Sequence, residues 1–138
     1  MRLWHKDLIP VLPDKQLIGQ WRECCAIAKS ISEKGTPNHI LVNKIMDYPL
    51  DEFNTYAMLV ADEMKKRGFD VNVEKFYKYC HEINVLTKGM IFRGWHGSIY
   101  LTQCYYNLQE KFDCGGIDAA DWQIIDKFYR GRKSCGMF

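Results

Sequence analysis

The sequence has no apolar run long enough to cross a bilayer and no stretch typical of a secretion signal. A membrane-spanning helix needs about 20 mainly apolar residues, whereas the longest uninterrupted apolar run, residues 56–61, has six. The first residues, Met-Arg-Leu-Trp-His-Lys-Asp, contain no apolar segment of the kind found in signal peptides. We therefore expect a soluble, cytoplasmic protein that does not bind membranes.

The sequence also lacks an excess of charge of one sign. It has 19 Lys and Arg residues against 17 Asp and Glu residues, which gives a net charge of +2. This balance excludes a polycation and a highly charged disordered chain, so nucleic-acid binding would have to use a local basic patch. With 138 residues, 47% of them hydrophobic, the chain is long enough for one hydrophobic core. We expect residues 1–138 to form a single domain.

Motifs for metals, nucleotides and disulfides are missing as well. None of the six cysteines forms a Cys-x-x-Cys pair, and the four histidines have no His-x-x-x-His spacing. The sequence has neither a phosphate-binding loop nor a Gly-x-Gly-x-x-Gly fingerprint. We expect the cysteines to be reduced and mostly buried, and we expect no metal ion and no cofactor.

What the sequence does contain is apolar residues at helical spacing. Leu17, Trp21, Cys24, Ala28 and Ile31 recur every three or four residues, which predicts one buried helical face. Similar spacing predicts helices from 14 to a break at 35–38, over 51–67 and 73–83, from 98 to a break at 115–116, and from 118 onward. We expect a compact all-α bundle of about five helices with little or no sheet.

Capping residues mark the ends of these helices. Asp14 and Ser98 stand where an N-cap is expected, because their short polar side chains accept hydrogen bonds from free backbone N–H groups. Gly68 stands where the second helix should stop. Residues 40–46 fit either a short helix or an extended segment, so the pattern leaves both open.

The first helix carries a charged pair between small residues. Gly19 lies one turn before Arg22 and Glu23, and Ala26 lies one turn after them. Glycine within a helix costs about 1 kcal/mol relative to alanine. We interpret the site as a notch where another backbone segment approaches the two charges. The alternative is a solvated Arg–Glu pair, with Gly19 admitting a neighbouring helix.

The N-terminus offers a nucleophile. Arg2 is too large for the usual removal of the initiator methionine, so Met1 is expected to keep a free α-amine. An α-amine is less basic than a lysine side chain, and more of it is uncharged at neutral pH. A neutral amine attacks an electrophilic sugar carbon to form a Schiff base. A nearby carboxylate can then move protons or stabilise the imine.

A basic and aromatic cluster lies near the end of the sequence. Residues 127–133 include four cations and two aromatic side chains. This composition suits the binding of phosphates and stacked bases. The alternative is an ordinary solvated helix end, where the helix dipole favours cations.

Several short blocks of the sequence together resemble one family. The blocks are Met1-Arg2, Asp14, Leu17, Arg22-Glu23, Glu63 with Lys66-Arg67-Gly68-Phe69, and more weakly Leu108, Glu110, Lys111 and residues 127–129. With these residues the chain resembles the pyrimidine-dimer DNA glycosylase family. The blocks are scattered over the whole chain, and well under half of its positions match the family.

The resemblance implies a compact all-α fold whose N-terminal segment packs against the first long helix. It implies a DNA repair glycosylase and abasic-site lyase that acts as a monomer on damaged double-stranded DNA, with no metal or cofactor. The Met1 α-amine would attack C1′ of the damaged nucleotide, and the Schiff base would lead to β-elimination. Glu23 would stabilise the imine and assist proton transfer, while Arg22 would position Glu23 and the DNA. The target base or its partner would leave the stack.

The resemblance and the basic cluster together predict further DNA-binding residues, namely Arg2, Gln16, Lys111, Lys127, Tyr129 and Arg130. The chain also departs from the family pattern. Met1 stands where the family nucleophile is a threonine, and Gln16 stands where the family has an active-site histidine. Two phosphate-binding arginines are replaced by Ala26 and Asn107.

These departures keep other functions open. A non-catalytic nucleic-acid-binding module on the same fold would bind DNA in a salt-dependent way and form no covalent intermediate. An abasic-site lyase, or a glycosylase for another lesion, fits the residues as well as a dimer-specific enzyme does. A protein–protein adaptor would instead use exposed aromatic side chains.

Overall fold

The structure is a computed structural model that describes residues 1–80 and 84–134, and in these ranges it contains helices and no β-strand. The predicted all-α bundle is confirmed. The long helices are α1 (Asp14–Lys34), α2 (Leu50–Lys66), α4 (Ser98–Asp113) and α5 (Ala119–Ser134), with one short helix, α3 (Glu74–Tyr77). Three 3₁₀ segments, Lys6–Val11, Asn43–Asp47 and Lys88–Met90, connect them.

Helix α1 follows the predicted apolar face but begins differently. Leu17, Trp21 and Cys24 are buried on that face. Pro13 takes the N-cap position, and Asp14 is the first helical residue, so the predicted Asp14 cap is wrong by one position. Asp14 instead accepts a hydrogen bond from the Arg67 guanidinium at 3.0 Å, because its carboxylate is turned toward the end of α2.

The starts of two other helices, α4 and α5, lie close to their predicted positions. Ser98 is the first residue of α4 rather than its cap, since the preceding Gly97 takes that position. Helix α5 was predicted to start at Asp118 and starts one residue later, at Ala119. The Asp118 carboxylate accepts the backbone N–H of Asp121 at 2.8 Å. Gly68 follows α2 with φ at +88°, the left-handed conformation that stops a helix.

The third predicted helix is shorter than its pattern indicated. Helix α3 covers Glu74–Tyr77, whereas the prediction ran over 73–83; residues 81–83 lie outside the described residues. Phe76 of this single turn is fully buried between Trp21 and Phe53. The ambiguous segment 40–46 forms the 3₁₀ segment Asn43–Asp47 and the turn before it.

Helices α4 and α5 pack through aromatic rings. Tyr105 stacks on Tyr129 with ring centroids 3.8 Å apart and planes within 11°. Phe112 stacks on Trp122 at 5.3 Å. Such pairs stabilise a contact beyond the area that they bury, and they fix the two helices side by side.

Residues 1–13, which we call the N-terminal segment, lie at the centre of the molecule. Leu3, Leu8 and Leu12 of this segment are almost completely buried. The segment contacts α1 through Trp4, and its 3₁₀ turn packs against α2 and α5. The predicted packing of the N-terminal segment on the first long helix is confirmed. No helix within residues 1–80 and 84–134 is long and apolar enough to span a membrane.

Candidate active site

The side chain of Gln20 fastens the N-terminal segment to α1. Its amide oxygen accepts the backbone N–H of Trp4 at 2.7 Å. Its amide nitrogen donates to the backbone carbonyl of Arg2 at 2.9 Å and to the carboxylate of Glu23 at 3.2 Å. Gln20 is only 1% exposed. A buried amide with these partners holds one backbone segment in one position, because any shift leaves polar groups unpaired.

Glu23 stands beside the start of the chain. Its Oε2 atom accepts the backbone N–H of Arg2 at 3.4 Å as well as the Gln20 amide. Three covalent bonds separate the Arg2 nitrogen from the α-amine of Met1, so the amine lies within about 7 Å of the carboxylate. Met1 itself is 45% exposed. The N-terminal residue is therefore partly exposed, and its amine lies within about 7 Å of a carboxylate that accepts two hydrogen bonds.

Two buried tyrosines complete this anchorage. Tyr56 donates its hydroxyl hydrogen to the Trp4 carbonyl at 2.6 Å and lies 3.0 Å from the Gln20 amide oxygen. Tyr100 donates to the carbonyl of Leu3. Burial raises the pKa of both hydroxyl groups well above the ordinary value, so both remain donors at neutral pH. The segment is thus held mainly by its backbone atoms.

The His5 ring of the N-terminal segment stacks on the ring of His96. His5 donates from Nε2 to the carbonyl of His96 at 2.8 Å, and the His96 Nδ1 accepts the backbone N–H of Lys6 at 3.0 Å. Burial lowers the pKa of His5 to about 4 and that of His96 to about 2. Both rings are therefore neutral at pH 7, and they act as structural hydrogen-bonding groups.

A groove of about 640 Å³ opens beside the N-terminal residues, and we call it the Arg2 groove. The Arg2 guanidinium lies over the rings of Trp4 and Tyr100, 5.9 and 5.8 Å from their centroids. These cation–π contacts orient the charge. The groove is also lined by Lys44, Trp95, Gln103 and Asn107, and among the residues that the structure describes no acidic side chain lines it. Its charge suits a phosphate backbone.

Comparison with known proteins decides the family. The family model described as pyrimidine dimer DNA glycosylase matches residues 1–79, which are 79 of the 138 residues. This chain belongs to the pyrimidine dimer DNA glycosylase family. No curated protein and no solved structure matches it. The family match covers the N-terminal segment, α1, α2 and α3, and therefore includes both Gln20 and Glu23.

In this glycosylase-family chain, Arg22 lines a cleft, whereas Glu23 is hydrogen-bonded to the N-terminal segment and to Gln20. A second cleft of about 320 Å³, which we call the basic cleft, is lined by Arg22, Lys29, Lys75 and Lys78, together with Cys25, Ala26 and Tyr79. Lys78 lies over the Tyr79 ring at 5.6 Å. Among the described residues no hydrogen bond or ion pair joins Arg22 to Glu23, and the residue that holds Glu23 is Gln20.

The remaining predicted DNA-binding residues are spread over the molecule. Tyr129 lines a groove of about 420 Å³ that adjoins the Arg2 groove, since Ile99 and Gln103 line both. Lys111, Lys127 and Arg130 are on α4 and α5 and line neither groove; Arg130 pairs with Asp126 at 2.9 Å. Gln16 is half-buried on α1, and its Oε1 atom has no hydrogen-bond partner.

The sequence pattern missed the groups that position the site. Gln20 lies three residues after Leu17 and four before Cys24, so the helical register that placed those two inward also placed Gln20 inward. Gly19 is not the point of close approach, because a Cβ atom there would meet nothing within 4 Å. No group of three or more His, Cys, Asp or Glu side chains comes together in the part of the chain that the structure describes.

Proposed function

We propose that this protein is a DNA glycosylase with abasic-site lyase activity, in which the Met1 α-amine is the nucleophile and Glu23 its carboxylate partner. One observation carries the proposal: the backbone of Arg2 is hydrogen-bonded both to Glu23 and to Gln20. The chain belongs to the family of pyrimidine dimer DNA glycosylases. The substrate class is damaged double-stranded DNA.

The proposed reaction begins at C1′ of the damaged nucleotide. The lone pair of the neutral amine forms a bond to C1′, the bond from C1′ to the base breaks, and the base leaves with that electron pair. The nitrogen then loses a proton, and the C1′–O4′ bond opens to give a protonated Schiff base while O4′ takes up a proton. Removal of a proton from C2′ expels the 3′ phosphate oxygen with its electron pair. Water finally hydrolyses the imine and frees the amine.

Glu23 fits two parts of this sequence. Its negative charge stabilises the cationic imine, since opposite charges attract strongly where water is partly excluded. The same carboxylate accepts a proton in the elimination step. Gln20 is a positioning residue in this proposal, because it orients Glu23 through one hydrogen bond and the N-terminal segment through two others.

We propose that DNA contacts both the Arg2 groove and the basic cleft. Arg2 and Lys44 of the Arg2 groove, and Arg22, Lys75 and Lys78 of the basic cleft, would contact phosphates. Lys111, Lys127 and Arg130 would extend these contacts along α4 and α5. Tyr129 and Gln16 stay predicted DNA contacts. A chain with a net charge of only +2 needs such local clusters to bind DNA.

Borohydride trapping tests the proposal. The untagged protein is mixed with a duplex that contains one abasic site, and the imine is reduced to a stable amine. We expect a covalent protein–DNA adduct that peptide mapping locates at Met1 rather than at a lysine. A sample whose α-amine has been acetylated is the control, and it should give no adduct. Excision of bases from ultraviolet-irradiated duplex, assayed in parallel, tests the glycosylase step separately.

The same experiment distinguishes the non-catalytic alternative. A binding module would retain salt-dependent affinity for duplex DNA, yet would give no adduct in either sample. An adduct located at a lysine would also overturn the role of Met1.

A further inference from the structure

A rigid loop presents two exposed apolar side chains beside the Arg2 groove. Gly35 is the C-cap of helix α1, and side chains fix the turn that follows it. The Asn43 carboxamide oxygen accepts the backbone N–H of His39 at 3.0 Å. The Ser30 hydroxyl donates to the Thr36 carbonyl at 2.7 Å. Backbone bonds from residues 42 and 43 to the His39 carbonyl close the turn. The backbone at its tip is therefore held in a defined place.

Ile40 and Leu41 occupy that tip. Ile40 is 86% exposed and Leu41 is 47% exposed, and both line the Arg2 groove. Ile99 of α4, 77% exposed, lines the same groove. Isolated exposed apolar residues are ordinary on a protein surface, but a group at one cleft indicates a binding function.

The charge of the groove indicates what binds there. Arg2 and Lys44 are among the residues that line it, and no carboxylate from residues 1–80 and 84–134 lines it. A purely apolar partner would leave these cations without compensation, whereas a DNA strand supplies phosphates for them and base faces for the apolar tip. The groove also contains Arg2, the residue bonded directly to Met1, so the tip and the proposed nucleophile serve the same stretch of DNA.

We propose that Ile40 and Leu41 form an apolar wedge that enters the base stack of damaged DNA next to the nucleotide attacked by Met1. This inference rests on the proposed function. The amine reaches C1′ only if the target base or its partner leaves the stack. Apolar side chains inserted between base steps fill the gap and stabilise the unstacked, kinked duplex. The wedge is therefore needed for duplex DNA and not for a single strand, whose bases are already accessible.

The test uses Ile40→Ala/Leu41→Ala in the full-length chain. Single-turnover cleavage of an abasic site in a duplex should fall about tenfold or more, while cleavage of the same site in a single strand should stay within about twofold of wild type. Val85→Ala removes a similar apolar side chain that is 89% exposed and lies outside this groove. This control should cleave both substrates at the wild-type rate.

A binding measurement makes the test independent of the chemistry. A duplex with 2-aminopurine beside the abasic site should increase in fluorescence when wild-type protein binds, and the double variant should give little increase at equal occupancy. If the wild type gives the increase but no trapped adduct, the wedge stands and the proposed lyase mechanism fails. If the double variant matches wild type in fluorescence and in duplex cleavage, the wedge is overturned. Loss of a wild-type dimer in the variant, with DNA activity intact, would assign the tip to a second copy and overturn it as well.

Discussion

Two neighbouring residues of α1 face different surroundings. Successive helical residues point about 100° apart, so Glu23 is turned toward the N-terminal segment while Arg22 is turned toward the basic cleft. Glu23 is held by a backbone N–H and a buried amide. Arg22 is exposed among other cations. The difference teaches that a pair adjacent in sequence lies in two environments, one that holds Glu23 by hydrogen bonds and one that groups Arg22 with lysines.

The sharpest test of this division is Glu23→Gln. The substitution keeps the size of the side chain but removes the negative charge that the proposed imine needs. We expect single-turnover cleavage of an abasic duplex to fall by about 10²–10⁴-fold, the usual contribution of a positioned acid–base group. DNA affinity and thermal stability should change little. Cleavage at the wild-type rate by a folded Glu23→Gln protein would contradict the assigned role.

Acid should destabilise the fold around the N-terminal segment, which contacts Glu23. In the folded chain the pKa of His5 is lowered to about 4 and that of His96 to about 2, whereas in the unfolded chain both have the ordinary histidine pKa of 6.5. As the pH falls below 6.5, the unfolded chain therefore takes up protons at these two residues before the folded chain does. Stability is thus fully present above pH 6.5 and is lost as the pH falls toward 4 and then toward 2. At pH 5 each histidine should lower the free energy of unfolding by about 2 kcal/mol relative to neutral pH, and the two together by about 4 kcal/mol.

The variant His96→Asn assigns part of this acid sensitivity. Asparagine keeps an acceptor for the Lys6 N–H but does not titrate. Denaturant unfolding at pH 7 and at pH 5 should show that the stability difference between these conditions drops from about 4 to about 2 kcal/mol. An unchanged difference would mean that other groups control the acid response.

The anchor itself is tested by Gln20→Ala. Its removal leaves the Trp4 N–H and the Arg2 carbonyl without their buried partner, and unpaired groups of this kind cost about 1–3 kcal/mol each. We expect the free energy of unfolding to fall by about 3 kcal/mol in chemical denaturation. Gln16→Ala is the matched control on the same helix, because the Gln16 Oε1 atom has no hydrogen-bond partner. Equal losses in the two variants would contradict the role given to Gln20.

The smallest effect is expected when lysine charges are removed from the basic cleft that Arg22 lines. Lys75→Gln/Lys78→Gln should weaken duplex binding about tenfold and reduce the slope of log affinity against log salt by about 2, since each lost phosphate contact contributes about 0.9. Trapping at saturating protein should be unchanged. The pair Lys65→Gln/Lys66→Gln makes the same charge change outside the basic cleft. If both pairs behave alike, total charge matters and the basic cleft has no special part.

Much of the fold follows from helical periodicity. Most of the predicted apolar positions of α1, α2, α4 and α5 are buried, and Ile31, Phe112 and Trp122 are partly buried. A long amphipathic helix has one stable way to face a core. Helix α3 was predicted too long, because Phe76 and Cys80 have helical spacing and are both buried although the regular helix stops at Tyr77. Helix starts were missed by one residue where Pro13 or Gly97 takes the cap position without a side-chain hydrogen bond.

Less of the candidate site was predictable. Glu23 near the N-terminus came from the family resemblance, and the hydrogen bond to the Arg2 backbone agrees with it. Gln20 was missed because a glutamine in a helix normally marks the solvated side. The basic cleft joins Arg22 to lysines about 50 residues later in the chain. Only the packing of α3 on α1 brings these cations together, and a pattern within one helix contains no information about it.

The way in which the N-terminal segment is held has a consequence for how freely its sequence can change. The bonds to Gln20, Glu23, Tyr56 and Tyr100 all end on backbone atoms of residues 2–4. Such bonds recognise the course of the chain and not the identity of its side chains. A different side chain at position 1 would therefore leave these bonds intact. An extra residue ahead of Met1 would leave them intact as well, but it would move the α-amine away from Glu23, and the proposed chemistry would then lose its nucleophile.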